Sequence, residues 1–172
     1  LFLGIEGKAL RRDEARILSR VQPAGIVLVT RNIESEPQLR DLIADLRAAA
    51  PEAIFCLDAE GGRVDRLRAV VAPAPAASDL ARCSPAMARR AGRLLGAALR
   101  EFDFDLDFAP VADLDHGILG NALDGRSYGT APRQVAARAR ALLGGLHATG
   151  TGGCLKHFPG LGRATADTHL RG

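Results

Sequence analysis

The 172 residues, 47% hydrophobic and 25% charged, suit one globular domain and exclude a disordered chain. The net charge of +3 comes from acids and bases that are interspersed, without aromatic interleaving, which argues against a nucleic-acid partner. No run of about 18 apolar residues occurs, so no membrane-spanning segment and no membrane partner is expected.

In chain order, residues 1–5 read as a strand and 12–21 as a short helix. GIVLVT (25–30) is a β-branched run of the kind buried on both faces of a parallel sheet. Ser35, with Gln38 three residues on, caps a helix whose apolar face is Leu39, Leu42, Ile43 and Leu46. Residues 53–57 form a third strand. Pro85, at a first helical position after Ser84, opens a helix expected to bury Met87, Ala91, Leu94, Leu95, Ala98 and Leu99. Residues 104–111 read as a fourth strand, although the alternation in FDFDLDF leaves its exposure open. A helix starting near Pro132 carries Val135, Ala139, Leu142, Leu143 and Leu146, with Gly150 placed to stop it. Residues 152–156 form a fifth strand.

Five strands alternating with helices imply an α/β fold with a parallel sheet, because parallel strands need crossovers. A doubly wound sheet and a β/α barrel both fit. Asp58, Asp113 and Lys156 fall at or just beyond predicted strand C-termini, where barrels build their sites, and no GxGxxG follows the first strand. A (β/α)8 barrel is therefore favoured, with about five of its eight units in this chain.

Cys56, Cys83 and Cys154 are widely spaced and form no CxxC, which argues for reduced cytoplasmic thiols and against a disulfide framework or a zinc site. No basic n-region precedes the apolar residues 1–5, so no signal peptide is legible, and a leader upstream stays an open alternative. Lysine occurs only at 8 and 156 among 23 basic residues, which draws attention to Lys156.

The polar clusters each admit two readings. Asp167 is the only acid after residue 126 and lies two positions before His169. The pair is either an exposed turn or a carboxylate orienting an imidazole as a general acid. Lys156 and His157 end a buried strand, as a solvent-facing terminus or as donors lining a polar pocket. Asp58, followed by Gly61, Gly62, Arg63 and Arg66, either caps a turn or offers its carboxylate to sugar hydroxyls. Arg126, between Gly125 and Gly129, is a surface side chain unless a site recruits it. His116 and His147 have no partner by spacing and read as structural.

Taken together, LDAEGGRVDRLR (57–68), DFDLDFAPVADLD (103–115), GRSYG (125–129) and KHFPGLGRATADTHL (156–170), with RNIES (31–35), resemble glycoside hydrolase family 3 over essentially the whole chain. KHFPG joined to a nearby D-x-H resembles its β-N-acetylglucosaminidase branch, which acts on peptidoglycan fragments; the β-glucosidase relatives lack the short D-x-H loop. The resemblance implies a retaining exo-enzyme that needs no cofactor or metal and acts on saccharides ending in β-linked N-acetylglucosamine. It assigns sugar binding to Asp58, Arg66, Arg126, Lys156 and His157, the general acid/base to His169, and its orienting partner to Asp167. Leu161 stands where the family usually has histidine. A retaining mechanism also needs a nucleophilic carboxylate, which in the family lies on a later strand. The expectation is that residues 1–172 are the N-terminal portion of one barrel domain. A sugar-binding protein without catalysis and a family 3 β-glucosidase are the competing readings.

Overall fold

The computed structural model describes residues 1–167. Strand β1 (Phe2–Gly4) is followed by helix α1 (Arg12–Val21), β2 (Gly25–Val27), a 3-10 turn at Thr30–Asn32, α2 (Glu36–Ala49) and β3 (Ile54–Leu57). A hairpin follows, β4 (Ala59–Gly61) and β5 (Val64–Asp65), and then α3 (Ala77–Leu80) and α4 (Pro85–Glu101). The chain continues through β6 (Leu106–Asp107), α5 (Pro132–His147) and β7 (Gly152–Gly153).

The main sheet is parallel, in the order β1-β2-β3-β6-β7. Each strand joins the next one in sequence and the order never reverses. A doubly wound sheet reverses at its ligand-binding switch point, so this is the progression of a β/α barrel wall. One face of the sheet packs against α1, α2, α4 and α5 through a single core that includes Leu18, Ile26, Leu42, Leu46, Phe55, Leu99, Leu142 and Leu146.

Local chemistry explains the element ends. The Ser35 hydroxyl accepts from Gln38 N at 3.4 Å, while the Gln38 side chain accepts from Glu34 N at 2.9 Å. The second strand is shorter than expected: Asn32 Oδ1 takes Val29 N–H at 3.0 Å and turns the chain after Val27. The fourth strand contracts to two residues. Asp103 before it has φ of 58°, and Pro110 after it has no N–H for the ladder. Pairing resumes as a bridge between Val111 and Lys156.

Met87 and Leu94, expected to be buried, are 47% and 66% exposed. The buried stripe of α4 is instead Ala88, Ala91, Gly92, Leu95, Gly96 and Leu99. A Cβ on Gly92 would strike Leu142 O, and one on Gly145 would strike Arg89 O, so the two glycines set how closely α4 and α5 approach. The hairpin β4–β5 had no counterpart in the sequence reading. Its turn depends on Gly61 and Gly62 at φ of 82° and 60°.

Candidate active site at the C-terminal ends of the strands

Asp58 follows the last residue of β3, and Glu60 lies two residues on, in β4. Asp113 comes two residues after the Val111 bridge, Lys156 is that bridge's other half, and Arg126 sits on the loop before α5. The site therefore lies on the rim where the strands end. The loop carrying Arg126 is pinned by Arg126 N donating to Leu123 O at 2.7 Å and by Ser127 Oγ donating to Asp113 O at 2.8 Å.

The side chains form one ionic network. Lys156 Nζ donates to Asp58 Oδ1 at 2.5 Å and pairs with Glu60 Oε1 at 2.6 Å. Arg126 grips Glu60 with both prongs, Nε to Oε2 at 2.8 Å and Nη2 to Oε1 at 2.7 Å. Both partners are nearly sealed from solvent, with Arg126 8% and Glu60 6% exposed. Burial disfavours the Arg126 charge, but Glu60 outweighs that and raises its pKa. Arg66 Nη1 donates to Thr30 Oγ1 at 3.2 Å and Nη2 reaches Asp58 Oδ2 at 3.5 Å.

Arg126 Nη2 also lies 3.1 Å from His157 Nε2. A guanidinium only donates, so Nε2 accepts and the ring proton sits on Nδ1. There it faces Asp113 Oδ2 at 2.7 Å. Asp113 also takes His157 N–H at 3.0 Å and Leu161 N–H at 2.6 Å. Burial raises the Asp113 pKa, yet these donors win and hold it below the ordinary carboxylate value. The Lys156–His157 peptide is cis, and both side chains join this network.

Asp58, Arg66, Arg126, Lys156, His157 and Asp167, chosen from the sequence, all line one cavity of about 520 Å³, with Glu60, Arg63 and Phe108. His169 lies outside the described residues. Glu60 and Asp113 were missed as members of the site. The only sequence signal for Asp113 is its place at a strand end, and Glu60 gives none beyond following Asp58 by two. His116 is exposed beside Gly162, and His147 is exposed in the last turn of α5. Among the described residues no His/Cys/Asp/Glu group is arranged to hold a metal, and no helix is long and apolar enough to cross a membrane.

The network suits a neutral polyol better than an anion. Arg66, Arg126 and Lys156 are already paired with Asp58 and Glu60, and Asp113 holds the His157 ring. Among the described residues hydrogen-bonding capacity is left over: one N–H on Lys156, one on Arg126 Nη1 and lone pairs on Asp58. Sugar hydroxyls, which both donate and accept, complement such a mixed wall.

Residues 3–172 match the glycosyl hydrolase family 3 N-terminal domain. The chain belongs to glycosyl hydrolase family 3. Among curated family 3 relatives, the beta-hexosaminidase of Xanthomonas campestris pv. campestris is 39% identical over 178 residues, covering 99% of this chain and 53% of that protein. The beta-hexosaminidase of Pseudomonas aeruginosa is 37% identical over 175 residues, covering 99% of this chain and 52% of its own length. NagZ from Neisseria gonorrhoeae, solved in complex with N-trifluoroacetyl-D-glucosamine, superimposes with a TM-score of 0.90 at 34% identity. That match covers 99% of this chain and 52% of NagZ. The α/β barrel expectation agrees with this likeness, and the chain spans about half the length of these three proteins.

Proposed function

We propose that the full-length protein is a retaining exo-β-N-acetylglucosaminidase that removes terminal β-linked N-acetylglucosamine from peptidoglycan fragments or related oligosaccharides. The observation that carries this reading is the convergence of Asp58, Arg66, Arg126, Lys156, His157 and Asp167 on one polar, ion-paired cavity at the strand ends. In this reading the first five residues bind the sugar. His169 is the general acid/base, and Asp167, on the cavity wall, orients it. Relatives named beta-hexosaminidase, and NagZ bound to an N-acylated glucosamine analogue, support that substrate class.

Retention needs a carboxylate free to attack the anomeric carbon. Asp58, Glu60 and Asp113 are each committed to cations or backbone N–H groups. Following the family resemblance, which puts the nucleophile on a later strand, we assign it to the part of the barrel supplied by the rest of the full-length protein, with residues 1–172 as the N-terminal portion of a single barrel domain. The unpaired cysteines support a reducing, cytoplasmic setting.

The test is kinetic, on the full-length protein, with a GlcNAc disaccharide and an activated aryl N-acetyl-β-glucosaminide. His169→Ala should slow the disaccharide by about 10²–10⁴-fold, the usual range for general acid catalysis, and the aryl substrate far less. Asp167→Ala should show the same pattern more mildly. Equal losses on both substrates would mean that His169 positions sugar and moves no proton. Binding without turnover would favour a sugar-binding protein, and faster cleavage of an aryl β-glucoside would favour a β-glucosidase.

A further inference from the structure

One buried ionisable group has no part in that reading. Asp107, paired with Leu57 across the β3–β6 ladder, is fully buried. Its Oδ1 accepts from Ala59 N at 2.9 Å, and Ala59 is the residue between Asp58 and Glu60. Its Oδ2 meets no hydrogen-bond partner among the described residues. An ionised oxygen buried without a donor costs far more than an unpaired hydroxyl, so this geometry selects the uncharged acid.

We propose that Asp107 is a positioning residue of the sugar site, acting through Ala59 to hold Asp58 and Glu60 where both grip Lys156. The role rests on the reading of the cavity as a sugar site. The peptide N–H that Asp107 holds lies between the two carboxylates. Fixing that peptide fixes the directions in which Asp58 and Glu60 leave the backbone. Lys156 needs both of them, at 2.5 and 2.6 Å.

The neutral state matters because Lys156 is already shared between Asp58 and Glu60. A further negative charge beneath them would compete for that lysine. The groups facing Asp107 are Asp58 and Glu60 from the β3–β4 corner, Lys156 from the stretch after β7, and Tyr128 from the loop before α5. Burial raises the Asp107 pKa well above the ordinary carboxylate value and the two acids add to this, while Ala59 N–H and Lys156 oppose it without cancelling it. With the folded value above the unfolded one, the associated stability is complete at low pH and is lost as pH rises through the folded value.

Asparagine reproduces the shape and acceptor of the neutral acid, whereas leucine removes the acceptor. In the full-length protein, Asp107→Leu should weaken N-acetylglucosamine binding about tenfold, the scale of one lost buried hydrogen bond. Asp107→Asn should restore most of that loss. Calorimetric titration across pH gives the decisive readout. Affinity of the parent should fall as pH rises through the Asp107 value, and Asp107→Asn should abolish that fall. The denaturation midpoint of Asp107→Asn should likewise gain on the parent as pH rises. An alkaline fall that survives in Asp107→Asn, or an Asn variant as weak as Leu, would overturn the role while leaving the sugar reading intact. A parent protein that binds no N-acetylglucosamine at any pH would overturn the sugar reading and this role with it.

Discussion

Among the described residues Lys156 keeps one N–H without a partner, and Arg126 keeps one on Nη1, so truncating either should weaken N-acetylglucosamine binding by about 1.5–3 kcal/mol, as for hydrogen bonds to charged groups. Calorimetry on the full-length protein measures this, and unchanged affinity in both variants would remove them from the sugar site. The two differ in stability. Arg126→Ala strips a sealed carboxylate of its bidentate partner but leaves Lys156 beside it, so the cost should stay below the about 3–5 kcal/mol of an uncompensated buried charge. Arg126→Lys should not restore it, because an ammonium cannot reproduce the planar fork. At this scale the sequence was informative where motif and rarity coincided, as at Lys156. It was blind to partners that topology supplies, since Glu60 meets Arg126 across 66 residues. Asp107, inside an alternating acidic run, was indistinguishable by pattern from Asp105, which pairs with Arg47 and Arg100.

The helices were legible because their caps and apolar spacing are local. Arg12–Val21 was located to the residue, and the buried face of α2 was read correctly. The error on α4 came from weighting large side chains. Met87 and Leu94 follow helical spacing, but the α4–α5 contact is made by small residues that let the backbones meet. Gly92→Val should force the helices apart and destabilise the protein by about 1–3 kcal/mol, the usual cost of overpacking. A denaturant melt of the full-length variant would show this, and an unshifted midpoint would mean that the contact yields. The strands were overextended for the opposite reason. Apolar runs continue past the point where Asn32 or Pro110 interrupts pairing, and composition does not register such interruptions.

For the whole molecule, strand order is the strongest evidence that the fold is a barrel wall, and order is not a property that residue patterns carry. A wall of five strands also has consequences. β1 and β7 are the two edges of the sheet, with a row of backbone groups on each that a closed eight-stranded barrel would pair. The carboxylates Asp58, Glu60 and Asp113 are held by Lys156, Arg66, Arg126 and His157, and none is free to attack a sugar. Both facts point the same way. On the proposed function, the 172-residue chain expressed alone should fail to hydrolyse an aryl N-acetyl-β-glucosaminide under conditions where the full-length protein turns it over, and it should unfold at a lower denaturant concentration. Turnover by the isolated chain at a rate near that of the full-length protein would locate the nucleophile within residues 1–172. It would also remove the main reason for placing the nucleophile in a different part of the barrel from His169 and Asp167.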